Sequence, residues 1–229
     1  MPTSNPTLAE EHRLTFRGLH RRFGRLRVLQ GISGEVTRGQ ILLVTGGNGS
    51  GKSTLLRCLA GLMRPQKGTI ECVVDDVDLD VEERRRAVGF LSPAVELYGE
   101  LSTAENLDFF ARLRGLAPER GRQLLQSVGL PPDRAASVLS SGMTQRLRWC
   151  WALLHSPRIL LLDEPLQNLD DAGARDVLGL LDAALENAAA VVANPGPLDL
   201  PRPHERLDLG DGFLVQELRA QTNEEPRSA

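Results

Sequence analysis

The 229-residue chain has few aromatic residues, three cysteines and no long apolar run. Its longest apolar stretches, 159–162 and 188–193, have the length of strands and fall far short of the roughly 18 to 20 residues that a membrane span needs. Residues 1–6 lack the basic and apolar regions of a secretory signal peptide. We therefore expect any membrane role of this chain to come through a partner.

The cysteine spacing excludes a protein held together by disulfides or a cysteine metal site, and the net charge excludes a general nucleic-acid binder. Cys58, Cys72 and Cys150 are spaced too widely for a metal pattern or a disulfide framework, and they fit a reducing interior. Cys58 and Cys150 fall within apolar helical patterns and are predicted to lie in the core. The net charge is −3, so we expect no nucleic-acid partner. The short basic run 84–86 follows two glutamates and is interpreted as a solvated helix face.

A glycine-rich loop stands between a buried-strand pattern at 41–44 and a helical pattern at 55–63. It fits the phosphate-loop motif G-x-x-x-x-G-K-[ST] with Gly46, Gly47, Asn48, Gly49, Ser50, Gly51, Lys52, Ser53 and Thr54. Glycines let backbone N–H groups surround phosphate oxygens at the positive end of the following helix. Lys52 is predicted to reach the β- and γ-phosphates, and the Ser53 hydroxyl to ligate Mg²⁺. The loop therefore predicts a nucleoside triphosphate site.

A second signal follows the apolar run 159–162, which is typical of a central parallel strand. The strand delivers Asp163 and Glu164 to the crevice where ligands bind in such sheets. Asp163 is predicted to hold Mg²⁺, directly or through water, and Glu164 to polarise the water that attacks the γ-phosphate. Together the two segments indicate a Mg²⁺-dependent triphosphatase.

The alternation of strand and helix patterns predicts an α/β P-loop NTPase fold with a central, mostly parallel sheet. Short strands with glycine turns before the phosphate loop indicate a small antiparallel β subdomain. Helical spacing over about 95–155 indicates an inserted helical lobe. We predict one domain over 14–218, with polar tails at 1–12 and 219–229.

With these motifs the chain resembles the ATP-binding-cassette (ABC) family over residues 14–215. The segment 139–146 is similar to the family's signature sequence, which binds the γ-phosphate of ATP held by a second subunit. That resemblance implies a two-fold dimer around two ATP molecules and assigns the contact to Ser140, Ser141, Gly142 and Met143. Phe23 stands where the family places an aromatic residue on the adenine, and 168–170 resembles the loop where subunits touch.

Three segments depart from the family pattern. Ser141 and Met143 replace a usual Gly and Gln, and 92–94 lacks the usual Gln. The switch histidine is replaced by Asn194, while His204 lies ten residues further on and is not expected to reach the γ-phosphate. Asparagine can hydrogen-bond a phosphate but cannot shuttle a proton, so we predict slow hydrolysis with ATP binding intact. The chain is similar to the haem-exporter ATPases of cytochrome c maturation in three features combined. These are the signature variant, the missing Gln and the stretch 97–107.

The resemblance implies the ATPase subunit of a membrane transporter, paired with a second ABC subunit, in a homodimer, and with a separate membrane-spanning permease. Such a subunit is cytoplasmic and peripheral on the inner face of the membrane. Leu97 and Tyr98 are either exposed anchors for the permease or core residues of the lobe. Two alternatives are a regulatory ATP switch with little hydrolysis and a soluble cassette in translation or DNA repair. The latter usually carries two cassettes or a long insertion, and this chain has neither.

Overall fold

An antiparallel sheet forms the first part of the molecule. The computed structural model describes residues 11–210 and 219–220. The sheet has the strand order β2-β1-β4-β5, with β1 at Arg13–Phe23, β2 at Leu26–Thr37, β4 at Lys67–Val74 and β5 at Val77–Asp78. Its last hairpin turns at Asp75 and Asp76, both in the left-handed region that short aspartate side chains tolerate. The sheet is the predicted antiparallel subdomain.

The central sheet has six strands in the order β10-β9-β3-β8-β7-β6. They are β3 at Ile41–Thr45, β6 at Val88–Leu91, β7 at Ile159–Asp163, β8 at Ala189–Ala193, β9 at His204–Asp208 and β10 at Arg219–Ala220. All neighbours are parallel except β9 and β10. Every residue of β3, β7 and β8 is buried, which explains their continuous apolar runs.

Helices cover both faces of this sheet. They are α1 at Lys52–Leu59, α2 at Val81–Ala87, α3 at Thr103–Leu113, α4 at Glu119–Ser127, α5 at Ser141–Leu153 and α6 at Asp171–Leu185. On one face α1 and the antiparallel sheet share a core with Leu42 and Val44 of β3. On the other face α3, α4, α5 and α6 share a core with Ile41 and Leu43. Within the described residues, no helix has the length and apolar character to cross a bilayer.

The predicted α/β fold is confirmed, with three local corrections. The helix after the phosphate loop ends at Leu59 and not at residue 63, because Gly61 turns the chain with φ +74°. Arg84 is buried at 4% exposure, so the basic run is only partly a solvated face. Arg219–Ala220 pair with Arg206 and Glu205, so this part of the predicted tail belongs to the sheet.

Residues 1–10 and 221–229 of the predicted tails, and residues 211–218 of the predicted domain, lie outside the described residues, whereas His12 is buried. The domain limits stay a prediction. The three cysteines are buried and free, as predicted for Cys58 and Cys150. Burial raises the pKa of Cys72 to about 11 and that of Cys150 to about 12.

Leu97 and Tyr98, the two residues with alternative predicted roles, differ in burial. Leu97 packs against the core of the helical lobe. Tyr98 is 50% exposed, with its ring centroid 5.0 Å from that of Phe109, itself 38% exposed. The buried Asn106 fixes this loop, because its side chain accepts a bond from the Tyr98 N–H at 2.8 Å and donates to the Tyr98 carbonyl at 2.9 Å. An aromatic surface is therefore presented by the lobe.

Substitution of Gly89 is expected to destabilise the fold. A Cβ on Gly89 would lie 2.5 Å from the Ala152 carbonyl oxygen and 2.6 Å from Pro157 Cγ. We expect Gly89→Ala to lower the free energy of unfolding by about 1–3 kcal/mol, as overpacked cores do, in urea denaturation. Gly179→Ala is the control, because that α6 position has nothing within 4 Å among the described residues; it should gain roughly 0.5–1 kcal/mol. A Gly89→Ala protein as stable as wild type contradicts this packing.

Candidate nucleotide-binding site

The predicted site residues follow three neighbouring parallel strands. In the register of the sheet, Ala193 at the end of β8 lies beside both Val44 of β3 and Asp163 of β7. The phosphate loop, Asn194 and Glu164 continue directly from these ends. Because parallel strands end at one edge of a sheet, the fold brings the three segments together.

The backbone of the phosphate loop requires glycine at two positions. Gly46 has φ +146°, and a Cβ there would lie 2.6 Å from Ser50 Oγ. Gly51 has φ +105°, and a Cβ there would lie 2.8 Å from Val28 Cγ1. Side chains rarely adopt such angles and have no room here. The β1–β2 hairpin therefore packs directly on the loop through Val28.

Lys52 and the start of α1 form an anion-binding arrangement. The Lys52 ammonium donates to the carbonyls of Gly46 at 2.6 Å and Gly47 at 2.9 Å, which holds it inside the loop. Within the described residues no side chain caps α1, whereas Asp80, Ser102, Ser140 and Asp170 cap other helices. The first N–H groups of α1 consequently remain available to an anion.

Other loop residues differ in exposure. Gly47, Asn48 and Gly49 are exposed, while Ser53 and Thr54 are half-buried in the first turn of α1. Ser50 is buried, and among the described residues its hydroxyl has no hydrogen-bond partner. A polar atom buried without a partner is costly, and a ligand in the loop can supply one.

Ser53 and Asp163 are the two residues predicted to hold Mg²⁺. Burial raises the pKa of Asp163, and the interaction with the Ser53 side chain, together with the positive charges of Arg57 and Lys52, opposes that rise. The described residues contain no cluster of three or more His, Cys, Asp or Glu suited to a metal. One hydroxyl and one carboxylate nevertheless fit Mg²⁺, which usually takes few protein ligands and completes its shell with water and phosphate oxygens.

Glu164 has a strained backbone. Its φ of +49° lies in the left-handed region, which is uncommon for a residue other than glycine. Its N–H donates to the Ala193 carbonyl at 2.8 Å, which joins the end of β7 to the end of β8. The side chain is half-buried. Strain of this kind persists where the surroundings fix it, and it is concentrated at functional sites.

The signature segment begins α5. Ser140 caps the helix by accepting the Met143 N–H at 3.2 Å, and both Ser140 and Ser141 are exposed. Gly142 and Met143 are half-buried. A Cβ on Gly142 would lie 2.7 Å from the Asn168 carbonyl oxygen, so the segment packs on the loop after Glu164. Within the described residues, no hydrogen bond links 140–143 to the phosphate loop of the same chain.

The sequence of the chain is similar to those of known proteins. A family model described as ABC transporter matches residues 29–167. The chain belongs to the ABC transporter family. ABC transporter ATP-binding protein YdbJ of Bacillus subtilis is 37% identical over 166 residues, which cover 71% of this chain and 54% of YdbJ. Macrolide export ATP-binding/permease protein MacB 1 of Aeromonas hydrophila is 33% identical over 222 residues, which cover 90% of this chain and 34% of MacB 1. The chain thus spans about half and a third of these two relatives.

Solved structures show the same fold. The dimeric bacterial ABC transporter cassette MJ0796 superposes with a TM-score of 0.75 at 24% identity, covering 87% of this chain and 95% of that one. An ABC transporter ATP-binding subunit gives a TM-score of 0.73 at 24% identity and covers 87% and 86% of the two chains. The similarity to haem-exporter ATPases stays a prediction.

Phe23, the residue predicted to contact adenine, lies on the β1–β2 hairpin. This hairpin packs on the phosphate loop through Val28. Phe23 ends β1 and is 44% exposed. The Arg21 guanidinium carbon lies 4.9 Å from the centre of its ring, a cation–π arrangement. The role of Phe23 in adenine binding stays a prediction, as do the roles of the other site residues.

The departures from the ABC pattern also have defined positions. The Asn194 side-chain amide donates to the Gly196 carbonyl at 2.9 Å, so one of its two N–H donors is already engaged. In the segment 92–94, Ser92 is buried and accepts the Ala94 N–H through its hydroxyl at 3.3 Å. His204 pairs with Ile41 at the start of β3, five residues and roughly 16 Å before Gly46 at about 3.3 Å per residue. His204 is therefore remote from the phosphate loop, as expected.

Sequence reasoning missed two residues that contact the backbone of Glu164 and Pro165. Gln145 and Trp149 on α5 are buried, and their side chains hydrogen-bond backbone carbonyls of Glu164 and Pro165. Gln145 lies inside the signature segment, yet no role was assigned to it. A signal was available in the sequence, because Gln145 and Trp149 are four residues apart. In a helix this spacing places both side chains, with their N–H donors, on one face.

Proposed function

We propose that this chain is the ATP-binding and ATP-hydrolysing subunit of an ABC transporter, one that dimerises around two ATP molecules and drives a separate membrane-spanning permease. The observation that carries the proposal is the register of three parallel strands: Val44, just before the phosphate loop, and Asp163 both lie beside Ala193, and the Glu164 N–H donates to the Ala193 carbonyl at 2.8 Å. This register brings the phosphate loop and the two carboxylates to one sheet edge. Triphosphate hydrolysis needs these parts in one place.

Each part of the site has a proposed role in hydrolysis. Residues 46–54 hold the phosphates through backbone N–H groups, with Lys52 on the β- and γ-phosphates and Phe23 on the adenine. Ser53 and Asp163 hold Mg²⁺, which when bound neutralises charge on the phosphate oxygens. Glu164 accepts a proton from the attacking water.

A second subunit completes the proposed site. Exposure of Ser140 and Ser141 at an N-capped helix start supports a phosphate contact across a dimer. The absence of a hydrogen bond between 140–143 and this chain's own loop, within the described residues, favours a contact made in trans. In two identical chains related by a two-fold axis, each signature segment contacts the ATP in the other chain's phosphate loop. We therefore propose a homodimer.

The proposed permease contact lies on the helical lobe. Tyr98 and Phe109 present aromatic surface there, and such residues are enriched at interfaces. MacB 1 is named as an ATP-binding and permease protein, and the chain matches 34% of its length, which supports a permease as the partner. We propose that the subunit lies in the cytoplasm, at the inner face of the membrane.

Two observations favour slow hydrolysis of ATP. The same observations support the alternative function, a regulatory ATP switch. The Asn194 amide is bonded to Gly196, and asparagine carries no titratable proton. The segment 92–94 offers no glutamine. ATP then closes the dimer, and turnover reopens it slowly or scarcely at all.

The decisive experiment has two parts. Tagged protein extracted in mild detergent should co-purify with a multi-span membrane protein in stoichiometric amount, identified by mass spectrometry. The purified chain should hydrolyse ATP slowly, and EDTA should abolish the activity. ATP-driven dimerisation with turnover at background level supports the regulatory switch. A cytosolic protein without a membrane partner contradicts the transporter assignment.

A further inference from the structure

We infer that Gln145 and Trp149 are positioning residues that fix the backbone around Glu164, an inference that rests on the proposed hydrolytic function. We call residues 164–168 the carboxylate turn. The Gln145 amide nitrogen donates to the Glu164 carbonyl at 3.1 Å and to the Pro165 carbonyl at 3.0 Å. A glutamine amide has two N–H donors, so both are used on this turn.

Trp149 adds a third bond from the same helix. Its indole N–H donates to the Pro165 carbonyl at 2.9 Å. Gln145 is 1% exposed and Trp149 is fully buried, so water does not replace these bonds. Breaking one leaves a buried donor or acceptor unsatisfied, which is costly. The three bonds are therefore durable features of the folded state.

The turn needs such support because its backbone is strained. Glu164 has φ +49° and Asn168 has φ +62°. Non-glycine residues keep such angles only where neighbouring groups fix them. The Ala193 carbonyl fixes the Glu164 N–H, and Gln145 fixes its carbonyl. Rotation of either peptide would redirect the carboxylate between them, so Gln145 determines where that carboxylate points.

The same helix begins at the signature segment. Gln145 lies four residues after Ser141, and Trp149 eight residues after it, about 6 and 12 Å along the axis at 1.5 Å per residue. Gly142 also abuts the Asn168 carbonyl at the other end of the carboxylate turn. A helix is stiff over this length, so a displacement at Ser140 reaches the Glu164 carbonyl through Gln145. In the proposed dimer, α5 thereby links the partner's nucleotide to this chain's own carboxylate.

The test compares Gln145→Met with wild type by two measurements. Methionine keeps the length of the side chain but donates no hydrogen bond. We expect faster backbone hydrogen exchange in the carboxylate turn, measured by mass spectrometry. We also expect kcat for ATP to fall at least about tenfold while KM stays within about threefold, because the phosphate loop is untouched. Trp149→Phe removes one bond and should give a smaller change of the same kind.

The matched control is Cys150→Ala. Cys150 is fully buried in α5 and has no hydrogen bond to the carboxylate turn among the described residues. This variant should lose thermal stability, with exchange in the turn unchanged and kcat within about twofold of wild type. A general loss of packing would affect Cys150→Ala and Gln145→Met alike.

Each outcome decides the inference. Unchanged exchange in Gln145→Met overturns it. Faster exchange with wild-type kcat, in an enzyme that turns over, also overturns it. A wild-type protein without turnover refutes the proposed hydrolysis instead, and the exchange measurement then still decides whether Gln145 holds the turn.

Discussion

The Glu164→Gln variant is expected to bind ATP and dimerise but to lose hydrolysis. Glutamine has the shape of glutamate but cannot take a proton from the attacking water. General base catalysis contributes typically 10²- to 10⁴-fold, so turnover should fall at least about 100-fold. The backbone should be unaffected, because the Glu164 N–H and carbonyl make the bonds to Ala193 and Gln145. Phosphate release measured against enzyme concentration gives the rate.

The dimer in this variant should accumulate with ATP, which size-exclusion chromatography with light scattering detects. Glu119→Gln is the matched control, since it makes the same chemical change at an exposed position of α4, and its rate should match wild type. A Glu164→Gln protein that hydrolyses ATP at the wild-type rate contradicts the assignment of the general base. If the wild-type rate is already at background, both variants give the same value and the regulatory switch is supported.

Most of the site was predictable because its parts are short and continuous in sequence. The glycines of the phosphate loop, and the apolar run before Asp163, follow local backbone and burial rules. Their meeting was also predictable, because parallel strands share a carboxyl edge. Ser140 as the cap of α5 follows a local rule as well, since capping depends on residues three positions apart.

What sequence reasoning missed depends on contacts between distant segments. The bond from Gln145 to Glu164 joins residues 19 positions apart in different elements. Arg84 was interpreted as solvated from its neighbours in sequence, yet β4 covers it and its guanidinium donates to the Ile70 carbonyl at 3.4 Å. Side-chain direction is set by tertiary packing, and local propensity carries little information about it.

The Lys52→Ala variant is expected to lose most of its affinity for ATP. A hydrogen bond to a charged group contributes about 1.5–3 kcal/mol, which corresponds to about 10- to 150-fold in Kd at 1.4 kcal/mol per tenfold. Lys52 must give up its bonds to Gly46 and Gly47 when it contacts phosphate, so the lower half of that range is expected. Isothermal titration calorimetry measures the change, with Lys67→Ala, the other lysine of the chain, as control.

AMP separates the contact from a general collapse of the loop. Lys52 is predicted to reach the β- and γ-phosphates, which AMP lacks, so Lys52→Ala should weaken ATP binding and leave AMP binding nearly unchanged. The buried ammonium also bridges two loop carbonyls, and a loop that depends on this bridge would lose both nucleotides in equal proportion. Equal losses of ATP and AMP affinity would therefore mean that Lys52 maintains the conformation of the loop. Unchanged ATP affinity would mean that Lys52 does not contribute to ATP binding. Selective loss of ATP is the result that the position of its ammonium at the start of an uncapped helix predicts.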